Sequence, residues 1–279
     1  MLFSDKEVDP SISPFIKRRF DIHFSANTYE QLLDRVEQED IEIEGFKAEY
    51  TILGEDSTSY AERLNKLRDV GMRIQGIPNY LQPTRIYSIC QYKGVWYFGT
   101  LAKHDTSWYK HKDKPHSFSN SLGMELAKSL VCIASEGNKD VSLLDGCCGV
   151  GTVMLEACIS DFQIEGCDIS SHSTQYAAQN LAHFGYSAQV HHCDIKELHK
   201  QYEAAILDLP YNFYSYSDDA ITANIIQSAS RLAKKLVIVS LADIENVITQ
   251  FSMKVTDFCT VEKKGKSKFQ RNIWVCQRA

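Results

Sequence analysis

Hydrophobic and polar positions change rhythm once along the chain, near residue 118. Before that point the spacing is mixed. Residues 15–24 read as a strand, and residues 28–39 as a helix with Leu32, Leu33 and Val36 on one apolar stripe. Residues 46–53 read as a strand again, and residues 59–70 as a helix with Ala61, Leu64 and Leu67 at helical spacing. Gly76, Pro78, Asn79 and Pro83 then break the pattern. Residues 85–92 and 95–101 are β-prone runs joined at Lys93-Gly94, which predicts a hairpin. Together these elements make a small α+β domain over 1–103. Residues 104–118 are polar, basic and aromatic, with Pro115 inside, and read as a linker.

From residue 119 to 279 helix and strand alternate. Strands are expected at 141–145, 164–169, 188–194, 204–208 and 236–241, and helices at 122–134, 150–159, 172–184, 218–233 and 243–251. That alternation is the signature of a parallel sheet covered by helices. Two last strands, 254–261 and 272–276, flank a basic turn. The fold class is therefore α/β: a Rossmann-like, mostly parallel sheet closed by a carboxy-terminal antiparallel hairpin, an arrangement that resembles the class I methyltransferase domain.

Composition sets limits on this picture. The 279 residues are 44% hydrophobic and 24% charged, an ordinary globular balance. No run approaches the ~20 apolar residues of a membrane span, and the opening residues lack the build of a secretory signal. A cytoplasmic protein without a membrane partner is expected. The nine Cys form no CxxC and stand beside no His at zinc spacing, so neither a disulfide framework nor a metal site is expected. Cys147 and Cys148 read as small buried residues of a tight turn, with a reactive thiol as the alternative. The net charge of −6 is not that of an indiscriminate nucleic-acid binder. Two stretches are nonetheless basic: Lys110, His111, Lys112 and Lys114 beside Trp108 and Tyr109, and Lys263, Lys264, Lys266, Lys268 and Arg271. Each is either a solvated loop or a set of phosphate contacts.

The segment Leu143-Leu144-Asp145-Gly146-Cys147-Cys148-Gly149-Val150-Gly151-Thr152 carries the densest chemistry. An apolar strand ends in an acid, passes a glycine turn and enters a helix. Glycine lets backbone approach a ligand where a Cβ would clash, and a helix start offers unpaired N–H groups to a carboxylate. Asp145, Cys148, Gly149, Gly151 and Thr152 are thus candidate cofactor residues. The next strand ends at Asp168-Ile169, where dinucleotide folds place an acid on the ribose hydroxyls. The third ends at Asp194-Ile195, where a carboxylate can accept an adenine amino group and the following N–H can donate to the ring. A single strand-end Asp is commonly a turn residue; three in succession after a glycine turn point to a nucleoside-bearing ligand. A nicotinamide enzyme would carry a third glycine where Met154 stands. The expected cofactor is S-adenosyl-L-methionine, leaving as S-adenosyl-L-homocysteine.

The fourth strand runs into Asp208-Leu209-Pro210-Tyr211-Asn212, which resembles the (Asp/Asn)-Pro-Pro-(Tyr/Phe) signature of amino-methyltransferases. An aromatic amino group is a poor nucleophile because its lone pair is delocalised. A carboxylate at Asp208 and a fixed backbone carbonyl can accept its two hydrogens and offset the charge that grows on nitrogen. Pro210 rigidifies the loop, and Tyr211 can stack on the base. Asp208, Pro210 and Tyr211 are the candidate catalytic residues; Tyr214 and Tyr216 line the pocket or pack the loop.

On these motifs the chain resembles the THUMP-associated guanine-N2 RNA methyltransferases, the group of the tRNA guanosine-10 enzymes. Asp145-Gly146-Cys147-Cys148-Gly149-Val150-Gly151 with Leu155-Glu156-Ala157 is similar to the family's glycine turn and following helix, and Asp208-Leu209-Pro210-Tyr211 to its Asp-Pro-Pro-Tyr. Pro115 to Leu122 resembles the segment before the catalytic domain, and Gly76 to Pro83 with Trp96-Tyr97-Phe98-Gly99 the end of the THUMP module. Gly146 and Leu209 stand where the family has Pro, and the amino-terminal region is short for a complete THUMP module together with the ferredoxin-like domain that usually precedes it. The resemblance implies a THUMP-like RNA-binding domain, RNA and foremost tRNA as partner, and N2-methylguanosine as product. Leu209 with Asn212 also resembles the loop of rRNA adenine-N6 dimethylases, which keeps adenine open. A small-molecule or protein methyltransferase, and a non-catalytic RNA-binding protein that kept the fold, remain alternatives.

Overall fold

The computed structural model describes residues 3–5, 7–54, 56–119, 121–210, 219–262 and 270–278. The chain divides into two compact units, Met1–Ser11 with Phe15–Asp105, and Ile12–Pro14 with Thr106–Ala279.

The first unit is a four-stranded sheet with two helices. Its elements are β1 (Arg18–Ala26), α1 (Tyr29–Gln38), β2 (Phe46–Tyr50), α2 (Tyr60–Gly71), β3 (Arg85–Tyr92) and β4 (Val95–Lys103), and the strand order is β1-β4-β3-β2. The β3–β4 hairpin turns at Lys93 and Gly94, both at positive φ (50° and 78°), the twist that a two-residue hairpin loop favours. Leu32 and Val36 are buried against Phe98 and Ile89, as the α1 stripe requires. The α2 stripe differs from expectation. Leu64 is exposed, and the helix meets the core through Leu67 and Val70 in its second half. Its start is instead held by a capping box between Ser59 and Glu62.

The second unit contains α3 (Met124–Ser135), β5 (Ser142–Asp145), α4 (Thr152–Ile159), β6 (Gln163–Asp168), α5 (Ser171–His183), β7 (Gln189–His192), β8 (Tyr202–Asp208), α6 (Asp219–Leu232), β9 (Ala233–Ser240), α7 (Glu245–Thr249), β10 (Met253–Glu262) and β11 (Gln270–Arg278). They form a seven-stranded sheet in the order β10-β11-β9-β8-β5-β6-β7. β5 to β9 are parallel, and β11 runs antiparallel to both β9 and β10. The central strands β5, β8 and β9 are apolar on both faces because each face is covered there. Leu143, Ala204, Ile206, Val237 and Val239 enter one core, with residues of α3, α4 and α5. Leu144, Ala205, Leu207, Leu236 and Ile238 enter the other, with residues of α6 and α7.

The linker expectation for 104–118 needs correction. From Thr106 the chain belongs to the second unit, and Ser107–Asp113 is a 3-10 helix with Trp108 and His111 buried. His111 Nδ1 pairs with Glu156 Oε1 on α4 at 2.8 Å, and neither side chain is exposed. Among the described residues no helix is long and apolar enough to cross a membrane, and no group of His, Cys, Asp and Glu could hold a metal ion.

Candidate active site

Sheet order locates the site. β5 is flanked by β6 and β7 on one side and by β8 and β9 on the other, so the connections diverge between β5 and β8. Ligands of open α/β sheets bind at the carboxyl ends of strands at such a switch point. Asp145 ends β5 and Asp208 ends β8.

Gly146 and Leu209, the residues after the two acids, both use their backbone N–H groups. Gly146 N–H donates to Ile206 O at 2.9 Å, and Leu209 N–H donates to Val239 O at 3.1 Å. Proline has no N–H for either bond. A Cβ on residue 146 would also lie 2.5 Å from Leu207 Cδ2. The ladder therefore runs one residue past each strand-end acid and fixes both acids' backbones.

The glycine turn is open where a ligand would approach. Gly149 has φ +52°, and no atom lies within 4 Å of where its Cβ would be. Gly151, at φ +79°, faces Ala177, whose Cβ would be 3.1 Å from an added Cβ. It caps α4 without a side-chain hydrogen bond, and the first N–H groups of a helix have no partners within the helix. The buried Thr152 hydroxyl beside them also lacks a hydrogen-bond partner. Close helix–strand packing, which dinucleotide folds obtain from a third glycine on the helix, comes here from the strand. A Cβ on Gly166 of β6 would strike Met154 Sδ at 2.4 Å.

The three strand-end acids differ in environment. Asp145 is 1% exposed, and its Oδ2 has no hydrogen-bond partner. Burial, then the neighbouring Asp208 and Asp168 carboxylates, hold its carboxyl well above the usual range, against one N–H from Cys147. Asp168 is fixed by the N–H groups of Gly149 and Ser170, each at 2.9 Å. Asp194 accepts from Lys196 N at 3.0 Å and pairs with Lys196 Nζ at 3.0 Å; the backbone N–H of Lys196 is the main reason its carboxyl lies below the usual range. Burial pushes the Cys147 and Cys148 thiols up, which disfavours the nucleophilic thiolate; Cys148 is buried, and Cys147 is half-buried at the cavity wall.

These groups surround one cavity of about 750 Å³. Asp145, Cys148, Gly149, Thr152, Asp168 and Ile169 line it, as do Asp194, Ile195, Asp208 and Pro210. Gly151 does not line it. Tyr211, Asn212, Tyr214 and Tyr216 lie outside the described residues. Sequence reasoning missed Phe118, Ser121 and Leu122, and Asn224, Gln227 and Ser228 of α6. The first three stand in a motif that carried a resemblance without a role. The α6 residues recur at helical spacing, but nothing local marks which face meets the cavity. The basic stretches also change. Lys110 and Lys112 are exposed, Lys114 is half-buried with its ammonium pKa lowered by burial, and His111 is internal. Arg271 is 7% exposed, and Lys263, Lys264, Lys266 and Lys268 lie outside the described residues.

An orphaned buried carboxylate, an uncapped helix start and an acid held at a strand end fit a ligand with an ammonium, a carboxylate and a ribose. Residues 137–274 match the family model described as a methyltransferase domain. This unit is an S-adenosylmethionine-dependent methyltransferase. The fold of the methyltransferase is shared with solved structures at low sequence identity. TrmN from Thermus thermophilus is 13% identical with a TM-score of 0.50, over 95% of this chain and 84% of that one. PH1948 from Pyrococcus horikoshii, provisionally described as an RNA methyltransferase, is 14% identical with a TM-score of 0.51, over 62% of this chain and 96% of that one. No curated protein matches the methyltransferase in sequence.

Proposed function

We propose that the chain methylates an exocyclic amino group of an RNA base, with guanine N2 in tRNA as the foremost target. The observation that carries this reading is that Asp208 and Pro210 line the same cavity as Asp145, Asp168 and Asp194. The description of PH1948 as an RNA methyltransferase is in line with it.

When bound, S-adenosylmethionine supplies an electrophilic methyl group on a sulfonium. The Asp145 carboxylate would hold its ammonium, and the first N–H groups of α4 with Thr152 its carboxylate. Asp168 would take the ribose hydroxyls, and Asp194 with Ile195 the adenine edge. Asp208 accepts a hydrogen bond from the base amino group, and the rigid Leu209-Pro210 backbone offers a carbonyl for the second hydrogen. Together they draw the nitrogen lone pair out of conjugation and offset the developing charge. The rest of the acceleration is alignment of nitrogen with methyl. Tyr211 is assigned to stacking on the base. Residues 1–103 act as a THUMP-like RNA-holding module.

Adenine N6 is the second reading. Its support is the run Leu209-Pro210-Tyr211-Asn212, which resembles the loop of adenine-N6 dimethylases. Incubation of the purified chain with labelled methyl donor and total RNA, followed by nucleoside mass analysis, tests both. N2-methylguanosine is expected; N6-methyladenosine selects the second reading; RNA left unlabelled overturns both.

A further inference from the structure

Four aromatic rings meet beside the cavity, and none has a part in the chemistry above. His116 stacks on Tyr176 with centroids 3.8 Å and planes 3° apart. His172, one turn earlier on α5, lies 4.1 Å from Tyr176. Phe118 lies 6.1 Å from Tyr176 and 6.5 Å from His172. Phe118 lines the cavity that Asp208 also lines, yet it is 37% exposed, and His172 is exposed as well.

Hydrogen bonds hold this cluster in place. Asn180 of α5 is completely buried. Its Oδ1 accepts from His116 N at 2.9 Å, and its Nδ2 donates to His116 O at 3.0 Å and to Val150 O at 2.9 Å. One amide thereby staples the ring-bearing segment to the glycine turn. Rings ordered before a ligand arrives lose little freedom on binding. Their flat faces accept any base, and each base–aromatic stack contributes appreciably to single-strand binding. Their exposure fits a strand that leaves the cavity rather than a ligand enclosed in it.

We infer that Phe118 and His172 form a stacking site for the RNA nucleotide next to the target base. This rests on the RNA reading above. The test compares full-length wild type with Phe118→Ala, His172→Ala, the double variant and the conservative Phe118→Tyr. Two quantities are measured: methylation of a pool of unmodified tRNA and rRNA transcripts, and S-adenosylmethionine binding by calorimetry. Loss of one stacked base predicts a KM for RNA raised ~10-fold in the double variant. The kcat and the cofactor Kd should stay within about two-fold, and Phe118→Tyr should restore the KM. An unchanged KM in the double variant overturns the proposal, as does cofactor binding weakened as much as RNA binding. A wild type that transfers no methyl group to RNA defeats the RNA reading and the stacking site together. An active wild type with unaffected variants defeats only the stacking site.

Discussion

Asp145 and Asp208 end adjacent parallel strands on the two sides of the sheet's reversal point, and both line one cavity. Their proximity is felt electrostatically, since the Asp208 carboxylate helps to raise the proton affinity of Asp145. The proposed mechanism separates their tasks: one acid faces the cofactor's ammonium, the other the target nitrogen. Asp208→Asn keeps the shape and removes the charge. It should lower kcat by about 10²–10³ while the cofactor Kd changes by less than about three-fold. Single-turnover assays and calorimetry on the same preparation separate the two, and equal losses would remove Asp208 from its assigned role.

Asp145 carries the pH dependence. Its folded-state pKa is raised, chiefly by burial, so folding takes up a proton between the ordinary carboxylate pKa and the raised value. The ligand-free protein should lose stability as pH rises through that window. An ammonium beside Asp145 favours the charged form, so cofactor affinity should rise with pH over the same window. Asp145→Asn should raise the ligand-free Tm by about 2–4 °C per kcal/mol relieved. It should also weaken cofactor binding ~10-fold or more and flatten its pH profile. Thermal melts and calorimetry across pH check both signs; a variant with lower Tm and unaltered affinity would show that the buried charge is not held for a ligand.

The elements that position this site were legible because their signals are local. An apolar run ending in Asp145, Asp168 or Asp208 is a strand with its acid at the carboxyl end wherever the strand lies in the sheet. What escaped depends on tertiary contacts. Residues 104–118 look like a linker by composition, yet Trp108 and His111 find partners that no spacing announces. Arg271 sits in a basic run but on a covered strand. Leu64 has helical spacing, but α2 reaches the core only one turn later. The α6 residues at the cavity are set by how that helix rotates onto β8 and β9, which the pattern of its own sequence leaves open.

The turn has no third glycine, and Gly166 on β6 shows how the fold does without it. Gly166→Ala should cost about 1–3 kcal/mol, since Met154 Sδ would lie 2.4 Å from the new Cβ. Met154→Ala alone should cost about 2–5 kcal/mol as a cavity. The double variant should cost less than the sum, with a coupling of about 1 kcal/mol or more. Urea denaturation of the four proteins gives the cycle, and strict additivity would mean that the helix moves away rather than packing on the glycine.

His111 and Glu156 bind the 3-10 helix to the helix that follows the glycine turn. Both are buried, and Glu156 Oε2 already lacks a partner. Burial raises the Glu156 carboxyl pKa against the opposing pull of His111. His111 also reaches Tyr186 Oη at 3.1 Å through Nε2. His111→Ala would strand the remaining carboxylate oxygen and should cost about 3–5 kcal/mol. Pairing it with Glu156→Gln should recover part of that loss, because a neutral amide is cheaper to bury than an unpaired charge. The raised folded pKa of Glu156 would climb further once His111 is gone, so His111→Ala should lose stability more steeply than wild type as pH rises above the ordinary carboxylate range. Denaturation midpoints at two pH values decide this. A pH-independent loss would mean that His111 contributes through its ring packing on Phe184, 4.8 Å away, rather than through the pair.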